Sequence, residues 1–329
     1  MTEELFCDYG TAILMAYEYL LEKYPEVFVI GQGLWSPWYV GNTMKNLDKK
    51  FGKERIIDTP VSEMACTGAA VGASLTGMRP IVVHPRMDFM LYAMDPIVNQ
   101  AAKWSSMFGA QAHPAVTIRS IINRGGEQGA QHSQALHAWF SHVPGLRVVM
   151  PSTVSDARDL LIASVLCDDP VLYIDDRWLY DQKSKLEPIK ELKLSEQEPI
   201  CLKEGKDLTI VASGFSTKLA CEVSKLLSKN AISAEIIDIR ILNPIKPSRI
   251  IQSVKKTRRL VVVDGGFKTC GLASEIISLV AESIELGTLI SKPIRITLPD
   301  APAPTSSVLE NEYYPHQELI LEKILAILK

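Results

Sequence analysis

Short apolar segments, each followed by a turn residue and then a helical pattern, recur along most of this chain. Between residues 27 and 175 they read VFVIG, PIVVH, AVTIR, LRVVMP and PVLYID, and between residues 208 and 299 they read LTIVASG, AEIIDIR, LVVVDGG and IRITLP. Strands that alternate with helices pair in parallel and carry helices on their faces. The sequence therefore predicts an α/β fold of layered sheets and helices.

The chain has 329 residues, more than the roughly 250 that one hydrophobic core usually serves, so two domains are expected. Residues 181–207 are charged, punctuated by proline and poor in periodic pattern, which is typical of a linker. We predict a first domain over residues 1–185, a linker over 186–206 and a smaller second α/β domain over 207–329.

Charge and composition exclude several classes of function. A net charge of -3 and a pI near 6.1 give no electrostatic surface for nucleic acid or for an anionic membrane. No run of about 18 apolar residues occurs, and the start MTEELFCDYG is not that of a secretory signal. Six cysteines without a CxxC pair favour reduced thiols over disulfides or zinc. We expect a cytoplasmic protein, or one of an equivalent reduced compartment.

Glu63 lies in DTPVSEMACTGAAVGASLTG, a segment made almost wholly of small side chains. Thr59 and Pro60 suit the N-cap and first position of a helix, which puts Glu63 in the first turn. The helix dipole stabilises a carboxylate there, so a structural role is favoured when Glu63 is considered alone. Small neighbours nevertheless let a ligand or another backbone approach closely.

Three histidines, His132, His137 and His142, are spaced by five residues. Five residues turn a helix by about 140°, so the three do not share a face as zinc ligands would. His132 follows the glycine-rich loop NRGGEQGAQ and is a candidate proton donor or acceptor. A structural role is at least equally consistent with a single histidine.

A further group follows the strand PIVVH, namely His84, Arg86 and Phe89. Ligand sites of parallel sheets form outside the carboxyl ends of the strands. Arg86 is a natural partner for an anionic substrate group, whereas Phe89 taken alone is more typical of a core. The phosphate-loop, dinucleotide, HExxH and GxSxG motifs are absent, so no complete active site is evident.

Several long motifs occur in an order that resembles a known family. RIIDTPVSEMACTGAAVGASLTGMRPIV is followed by DPIVNQAAKW, GAQHSQALHAWFSHVPGLRVVMPS, DDPVLYID and VDGGFKTCGLASEI. This order is similar to that of the E1 β subunits of thiamine-diphosphate-dependent 2-oxoacid dehydrogenases, of the pyruvate and branched-chain types. The resemblance implies a transketolase-like pyrimidine-binding domain followed by a transketolase C-terminal-like domain.

The resemblance also implies roles for individual residues. Glu63 matches the glutamate that hydrogen-bonds N1′ of the cofactor aminopyrimidine, and Phe89 matches an aromatic residue that packs on it. His132 matches a histidine that faces the substrate and assists proton transfer. The family binds a structural potassium ion through backbone carbonyls, and the matching positions are Val116, Ser164, Cys167 and Asp169.

The implied cofactor is shared between two chains. The family holds the diphosphate and Mg²⁺ through a GDG motif on an α subunit, and this chain has no GDG. The resemblance therefore implies an α partner in an α2β2 assembly, with a lipoyl acyltransferase (E2) as a further partner. The reaction implied is decarboxylation of a 2-oxoacid and transfer of its acyl group to a lipoyl group.

Two features depart from the family pattern. Gln32 replaces a family glutamate, and a neutral amide cannot relay protons between active sites as a carboxylate can. His84, Pro85 and Arg86 replace a mostly apolar stretch, which suggests a substrate other than pyruvate, with Arg86 suited to an anionic or hydroxylated group. Two alternatives stay open, the C-terminal half of a split transketolase-like ketol transferase and a non-catalytic scaffold subunit.

Overall fold

Residues 5–36 and 38–328 are described in the computed structural model, and their contacts group them into two units. The first unit contains the described residues up to 123 together with 139–197. The second contains residues 124–138 and 198–328, so the chain enters it twice. The predicted limits of 1–185, 186–206 and 207–329 stay a prediction, and the loop 124–138 is grouped here with the second unit.

Parallel strands build the first unit. Its strands are β1 (Leu5–Asp8), β2 (Val27–Gln32), β3 (Ile56–Thr59), β4 (Arg79–His84), β5 (Thr117–Ile122), β6 (Arg147–Val149), β7 (Val171–Asp176) and β8 (Lys183–Leu186). Six of them lie in the order β6-β7-β5-β4-β2-β3, every neighbouring pair parallel, while β1 and β8 form an antiparallel pair. The neighbouring inner strands β5 and β7 are buried along their whole length, as strands covered on both faces must be.

Helices connect these strands. They are α1 (Tyr9–Lys23), α2 (Leu47–Phe51), α3 (Glu63–Ser74), α4 (Met87–Met90), α5 (Ala102–Met107), α6 (His137–Ser141) and α7 (Val154–Val165). Short 3₁₀ turns occur at Leu91–Ala93, Arg177–Leu179 and Leu194–Glu196, and a π-helical segment at Pro96–Ala101. Helix α3 begins at Glu63 and not near Thr59, because Thr59 still belongs to β3; its N-cap is Ser62.

A buried ion pair lies in the core of the first unit. Arg119 on β5 donates from Nε to Oδ1 of Asp175 at 2.9 Å and from Nη2 to Oδ2 at 2.7 Å, and both side chains are fully buried. The remaining donors reach the hydroxyls of Thr43 at 2.8 Å and Tyr180 at 3.0 Å. This network fixes β5 against β7 because a buried charge is tolerated only when it is fully paired.

The second unit contains a smaller, five-stranded sheet. The strands of this unit are β9 (Ile200–Lys203), β10 (Leu208–Ala212), β11 (Ala234–Asp238), β12 (Ile241–Asn243), β13 (Leu260–Phe267) and β14 (Ile294–Leu298). Five of them lie in the order β14-β13-β10-β11-β9, parallel except for β9 against β11. The helices are α8 (Phe215–Lys229), α9 (Ser248–Thr257), α10 (Leu272–Ser283), α11 (Ser307–Tyr313) and α12 (Gln317–Leu328). Helices α8 and α12 pack on the sheet through Val223, Leu227, Ile320 and Ile324, all fully buried.

The predicted fold class is confirmed, since each unit is a mainly parallel sheet covered by helices. Every apolar segment quoted from the sequence contains a strand. Within the described residues, no helix combines the length and apolar character needed to cross a membrane.

Candidate active site

Glu63 lies at the carboxyl edge of the parallel sheet in the first unit. Strands β2, β3 and β4 all end at this edge, and α3 begins there with Glu63 as its first residue. A shallow concavity results, lined by Gly31, Gln32, Thr59, Pro60, Ser62, Glu63, Cys66, Val82, Val83, His84 and Pro85. The general rule for open α/β sheets places ligands at such an edge.

The Glu63 carboxylate is partly buried and sits in the first turn of α3. Over residues 5–36 and 38–328, no side chain or backbone group forms a hydrogen bond or an ion pair with it. Glu63 lies at the N-terminus of α3, where the helix dipole attracts a negative charge. Its hydrogen-bonding capacity is therefore available to a ligand in the concavity.

Backbone forms one wall of this concavity at Gly31. A Cβ added at Gly31 would lie 2.4 Å from the carbonyl oxygen of Val83, the residue that pairs with it on β4. Only glycine fits where two backbones approach this closely. The signal was visible in the sequence as a glycine inside the apolar strand VFVIG.

His84, predicted as a substrate contact, lines the same concavity as Glu63 but is only 3% exposed. Its Nε2 lies 3.1 Å from the hydroxyl of Thr67 on α3. Burial lowers the pKa of His84 to about 4, so the ring is neutral near pH 7. A neutral imidazole links β4 to α3 and offers no positive charge to a substrate.

Arg86 lies in a second, larger concavity that adjoins the first. It encloses about 470 Å³ of space open to solvent and is lined by Ser36, Trp38, Tyr39, Pro85, Arg86, Asn123 and Arg177. Pro85 lines both concavities, and Gln32 of the first donates from Nε2 to the hydroxyl of Tyr39 in the second at 2.5 Å. Glu63, His84 and Arg86 thus follow one another along the same edge of the sheet.

Phe89, the expected aromatic contact of the cofactor, lies on the short helix α4 and is 36% exposed. The following turn, Leu91–Ala93, packs against α3, the helix that carries Glu63. An aromatic ring left this accessible can pack against a ligand.

His132 lies in the second unit, on the loop 124–138, and is partly buried. Arg124 of this loop donates to the carbonyl of Gly265 at 3.3 Å, and Glu127 N donates to Glu310 at 3.0 Å. These bonds attach the loop to β13 and α11.

The second unit has a concavity near the loop 124–138. It is lined by Ser133 and Gln134 of this loop and by Phe267 and Tyr313. His132 precedes Ser133 in the chain but does not itself line this space.

His137, which sequence analysis excluded from a zinc triad, is fully buried and holds Asp264 through Nε2 to Oδ1 at 2.8 Å. Burial pushes the pKa of Asp264 upwards, but His137 and the backbone N–H groups of Gly266 and Ala273 hold it below its usual value. The sequence did not indicate this pair, whose members lie 127 residues apart.

Two side chains of the second concavity were missed by sequence analysis, Tyr39 and Arg177. Arg177 comes directly after β7, just as Arg86 comes soon after β4. Applying the strand-end rule to every strand, and not to PIVVH alone, would have found it.

The expected potassium carbonyls lie around the end of α7 and the start of β5. Cys167 O accepts from Nη1 of Arg79 at 3.0 Å, Ser164 O from Cys167 N at 3.3 Å and Val116 O from Val171 N at 3.0 Å. Asp169 pairs through its carboxylate with Arg147 at 2.6 Å. Ser164 O also accepts from Leu166 N, and Arg79 already brings a positive charge to Cys167 O.

One face of α3 carries small exposed residues. Ala65, Gly68, Ala69 and Gly72 are exposed, and a Cβ added at either glycine would meet no atom within 4 Å. Met64 beside them is 60% exposed. A face of this kind lets another backbone approach closely.

Comparison with known proteins identifies the family. Residues 7–182 match the family described as transketolase, pyrimidine binding domain, and residues 200–320 match transketolase, C-terminal domain. A solved structure described as a split gene transketolase, inactive beta4 tetramer, has the same fold, with a TM-score of 0.74 at 21% identity, covering 97% of this chain and 96% of that one.

Curated relatives are similar in sequence to this chain over most of their length. The chain is 37% identical over 286 residues to the β subunit of acetoin:2,6-dichlorophenolindophenol oxidoreductase of Bacillus subtilis, which covers 86% of this chain and 82% of that protein. It is 35% identical over 309 residues to the mitochondrial pyruvate dehydrogenase E1 component subunit beta-2 of Oryza sativa, covering 90% and 80%. To the pyruvate dehydrogenase E1 component subunit beta of Rickettsia felis it is 35% identical over 306 residues, covering 91% of each.

The resemblance inferred from the sequence motifs is confirmed by these matches. Dependence on thiamine diphosphate and the need for an α-type partner chain follow from the family. The chain belongs to the family of E1-type β subunits of thiamine-diphosphate-dependent 2-oxoacid dehydrogenases.

Proposed function

We propose that this β subunit, completed by an α subunit, decarboxylates a 2-oxoacid and passes the acyl group to a lipoyl group. The C1–C2 bond of the 2-oxoacid breaks and CO₂ leaves. The acyl carbon then bonds to one sulfur of the lipoyl disulfide, and the other sulfur takes up a proton. The acyl carbon is thereby oxidised and the disulfide reduced.

The observation that carries this proposal is the carboxylate of Glu63. It stands in the first turn of α3, at the carboxyl edge of the sheet, with no hydrogen bond from any described residue. The helix dipole stabilises a carboxylate at this position, and among the described residues Glu63 caps no backbone N–H. This free capacity fits the aminopyrimidine of thiamine diphosphate.

Thiamine diphosphate, when bound, supplies the electron sink that makes loss of CO₂ possible. Glu63 would hold a proton at the pyrimidine and return it, Phe89 would pack on the pyrimidine face, and His132 would move a proton on the substrate side. His84 would keep α3 in position as a neutral contact, and Arg86 would contact an anionic part of the substrate.

The assembly we propose is an α2β2 heterotetramer in which the α chain holds the diphosphate and Mg²⁺. The small exposed face of α3 and the exposed side chains of Met64 and Phe89 support a protein contact beside Glu63. A lipoyl acyltransferase (E2) would be the second partner. Among the described residues, Cys201, Glu204 and Glu235 are spaced like metal ligands, but Lys256 already contacts both carboxylates, so we propose no metal there.

We further propose that a potassium ion binds the backbone carbonyls of Val116, Ser164, Cys167 and Asp169. The position of three of them at and just beyond the end of α7 supports this site, because the last carbonyls of a helix carry partial negative charge. Thermal unfolding in KCl and in NaCl at equal ionic strength tests it. A melting temperature that does not depend on the cation would contradict it.

The domain limits and the compartment stay proposals. We propose that the pyrimidine-binding domain ends near residue 185 and that the transketolase C-terminal-like domain starts near residue 207; the family matches over 7–182 and 200–320 support these limits. The six cysteines are free thiols, which supports a cytoplasmic or an equivalent reduced compartment.

The experiment that tests the function uses the β chain co-expressed with its α-type partner. The purified complex receives thiamine diphosphate, Mg²⁺ and a panel of 2-oxoacids, with an artificial electron acceptor or a lipoyl domain as acceptor. Glu63→Gln should lower kcat by roughly 10²- to 10⁴-fold, the range typical of a lost general acid–base group, without changing the melting temperature. Release of CO₂ and reduction of the acceptor are both measured.

Glu275→Gln is the matched control, because Glu275 also lies in the first turn of a helix, α10, and is exposed. It should leave kcat unchanged. Full activity of the Glu63→Gln complex would favour the scaffold alternative. Transfer of a ketol unit from a ketose phosphate without oxidation would favour the split transketolase, although identities of 33–40% to β subunits of acetoin and pyruvate dehydrogenases support the dehydrogenase.

A further inference from the structure

The second concavity, beside that of Glu63, contains two arginines. Arg86 follows β4 and Arg177 follows β7, so the two guanidinium groups are brought together by strands that are neighbours of β5 on either side. Tyr39 and Asn123 complete the wall. Neither arginine is fully exposed, and both are partly buried.

Among the described residues, one hydrogen bond holds the guanidinium of Arg177. Its Nη2 donates to the carbonyl of Tyr39 at 2.7 Å. Its Nε is buried and has no hydrogen-bond partner among the described residues, and no described carboxylate forms an ion pair with Arg177. A guanidinium has five donor hydrogens, and this one uses few of them.

The charge of the concavity is positive. Burial and the neighbouring charge of Arg177 lower the pKa of Arg86, while Asp88 acts in the opposite direction. The repulsion from Arg177 acts on Arg86 more strongly than the attraction of Asp88 does. Two like charges held together in a partly buried site are unfavourable until an anion joins them.

The walls offer further polar atoms. The Tyr39 oxygen accepts from Gln32, which leaves its own O–H hydrogen for a ligand oxygen. Asn123 donates its amide hydrogens to the carbonyls of Pro85 at 2.8 Å and Ile121 at 3.2 Å. These bonds fix Asn123 and Pro85, and Pro85 is the residue that this concavity shares with that of Glu63.

We propose that Arg86 and Arg177 together bind a second anionic group of the substrate, a carboxylate or a phosphate at the end remote from the 2-oxoacid. This inference rests on the proposed function, since it assigns the substrate class of the same enzyme. The two arginines select 2-oxoacids that carry a second anionic group, because only that group forms charge-assisted hydrogen bonds with them.

Matched substrate pairs test the proposal in the α–β holoenzyme. The pairs are 2-oxopentanedioate with 2-oxopentanoate, and 3-phosphohydroxypyruvate with hydroxypyruvate, so that each pair differs only in the second anion. In one of the two pairs, the wild type should have a higher kcat/KM for the dianionic member than for its partner. If this is the first pair, the site binds a carboxylate; if it is the second, the site binds a phosphate. Arg177→Gln and Arg86→Gln should raise the KM of that member by roughly 10- to 100-fold, and that of its partner little.

Arg249→Gln serves as the control, since Arg249 is exposed on α9 of the second unit. Arg177→Lys retains the charge and should recover part of the KM, which a merely structural role of Arg177 would not predict. Glutarate, a dicarboxylate without the reacting keto group, is titrated calorimetrically into the holoenzyme, and phosphate likewise. The anion preferred in the kinetic pairs should bind to the wild type and not to Arg177→Gln.

Three outcomes would overturn the proposal. The first is an equal kcat/KM within both pairs in the wild type. The second is an equal loss on both members of a pair in Arg177→Gln, which would mean that the arginines bind the C1 carboxylate. The third is a failure of both anions to bind. If no 2-oxoacid is consumed but the preferred anion binds in an Arg177-dependent way, the proposed function fails and the anion site stands.

Discussion

His84 is a residue whose burial sets a pH dependence of stability. Its pKa is 6.5 in the ordinary case and about 4 here, so between these values the unfolded chain takes up a proton and the folded chain does not. The stabilisation is complete above pH 6.5 and is lost as the pH falls towards 4. We expect the free energy of unfolding to decrease by about 2 kcal/mol from pH 7.5 to 5 through His84 alone.

Denaturant unfolding at the two pH values checks this, with His84→Gln and His142→Gln compared with the wild type. The His84→Gln protein should lose this part of the pH dependence, while His142→Gln, altered at an exposed position, should keep it. An unchanged pH dependence in His84→Gln would mean that the pKa of His84 is the same in the folded and the unfolded chain.

Phe89 gives a second prediction at the residue scale. Because its ring is 36% exposed, replacing it with alanine should cost little folding stability. If the ring packs on the pyrimidine, Phe89→Ala should weaken thiamine diphosphate binding by roughly tenfold, the equivalent of one lost aromatic contact. Quenching of intrinsic fluorescence in a cofactor titration measures the Kd. A Kd equal to that of the wild type would remove Phe89 from the site.

At the scale of elements, the pairing of β5 with β7 depends on Arg119 and Asp175. Arg119→Met leaves a buried carboxylate without its partner, so we expect a loss of about 3–5 kcal/mol in the free energy of unfolding. The double variant Arg119→Met/Asp175→Asn should recover much of this loss, because no uncompensated charge remains. Lys50→Met, which removes exposed ion pairs with Glu18 and Glu22, should cause little loss.

The elements differ in how far the sequence determines them. Strands such as β5 and β7 were predictable because their buried, β-branched segments differ from every flanking loop. Strand β3 was missed, since four residues, Ile56–Thr59, carry too little pattern, and this also displaced the expected start of α3. Local sequence singled out Glu63 and Arg86 as candidates, although it favoured a structural role for Glu63 considered alone. The end of β7 could have indicated Arg177, but its position beside Arg86, like that of Asp264 beside His137, depends on pairing between distant segments.

At the scale of the whole molecule, the small exposed face of α3 predicts how a larger side chain on this face would affect assembly with the α chain. Gly68→Leu should leave the free β chain folded, because no atom lies within 4 Å of a Cβ at that position. In the α–β complex the added side chain should weaken association if this face meets the α chain. Sedimentation analysis of the complex measures this, with Ser278→Leu on α10 as the control at an exposed helical position. Undisturbed association of Gly68→Leu would place the interface elsewhere.

Two separate segments of the chain, 124–138 and 198–328, form the second unit, and this affects where the polypeptide can be cleaved. Residues 124–138 are continuous in sequence with the first unit on both sides, yet they bond to Gly265, Glu310 and Asp264. A single proteolytic nick between residues 186 and 197 would therefore yield two fragments that remain associated, with one fragment contributing a loop to the fold of the other. A recombinant fragment starting at residue 198 would lack His137, and its Asp264 would be left buried without that counter-charge.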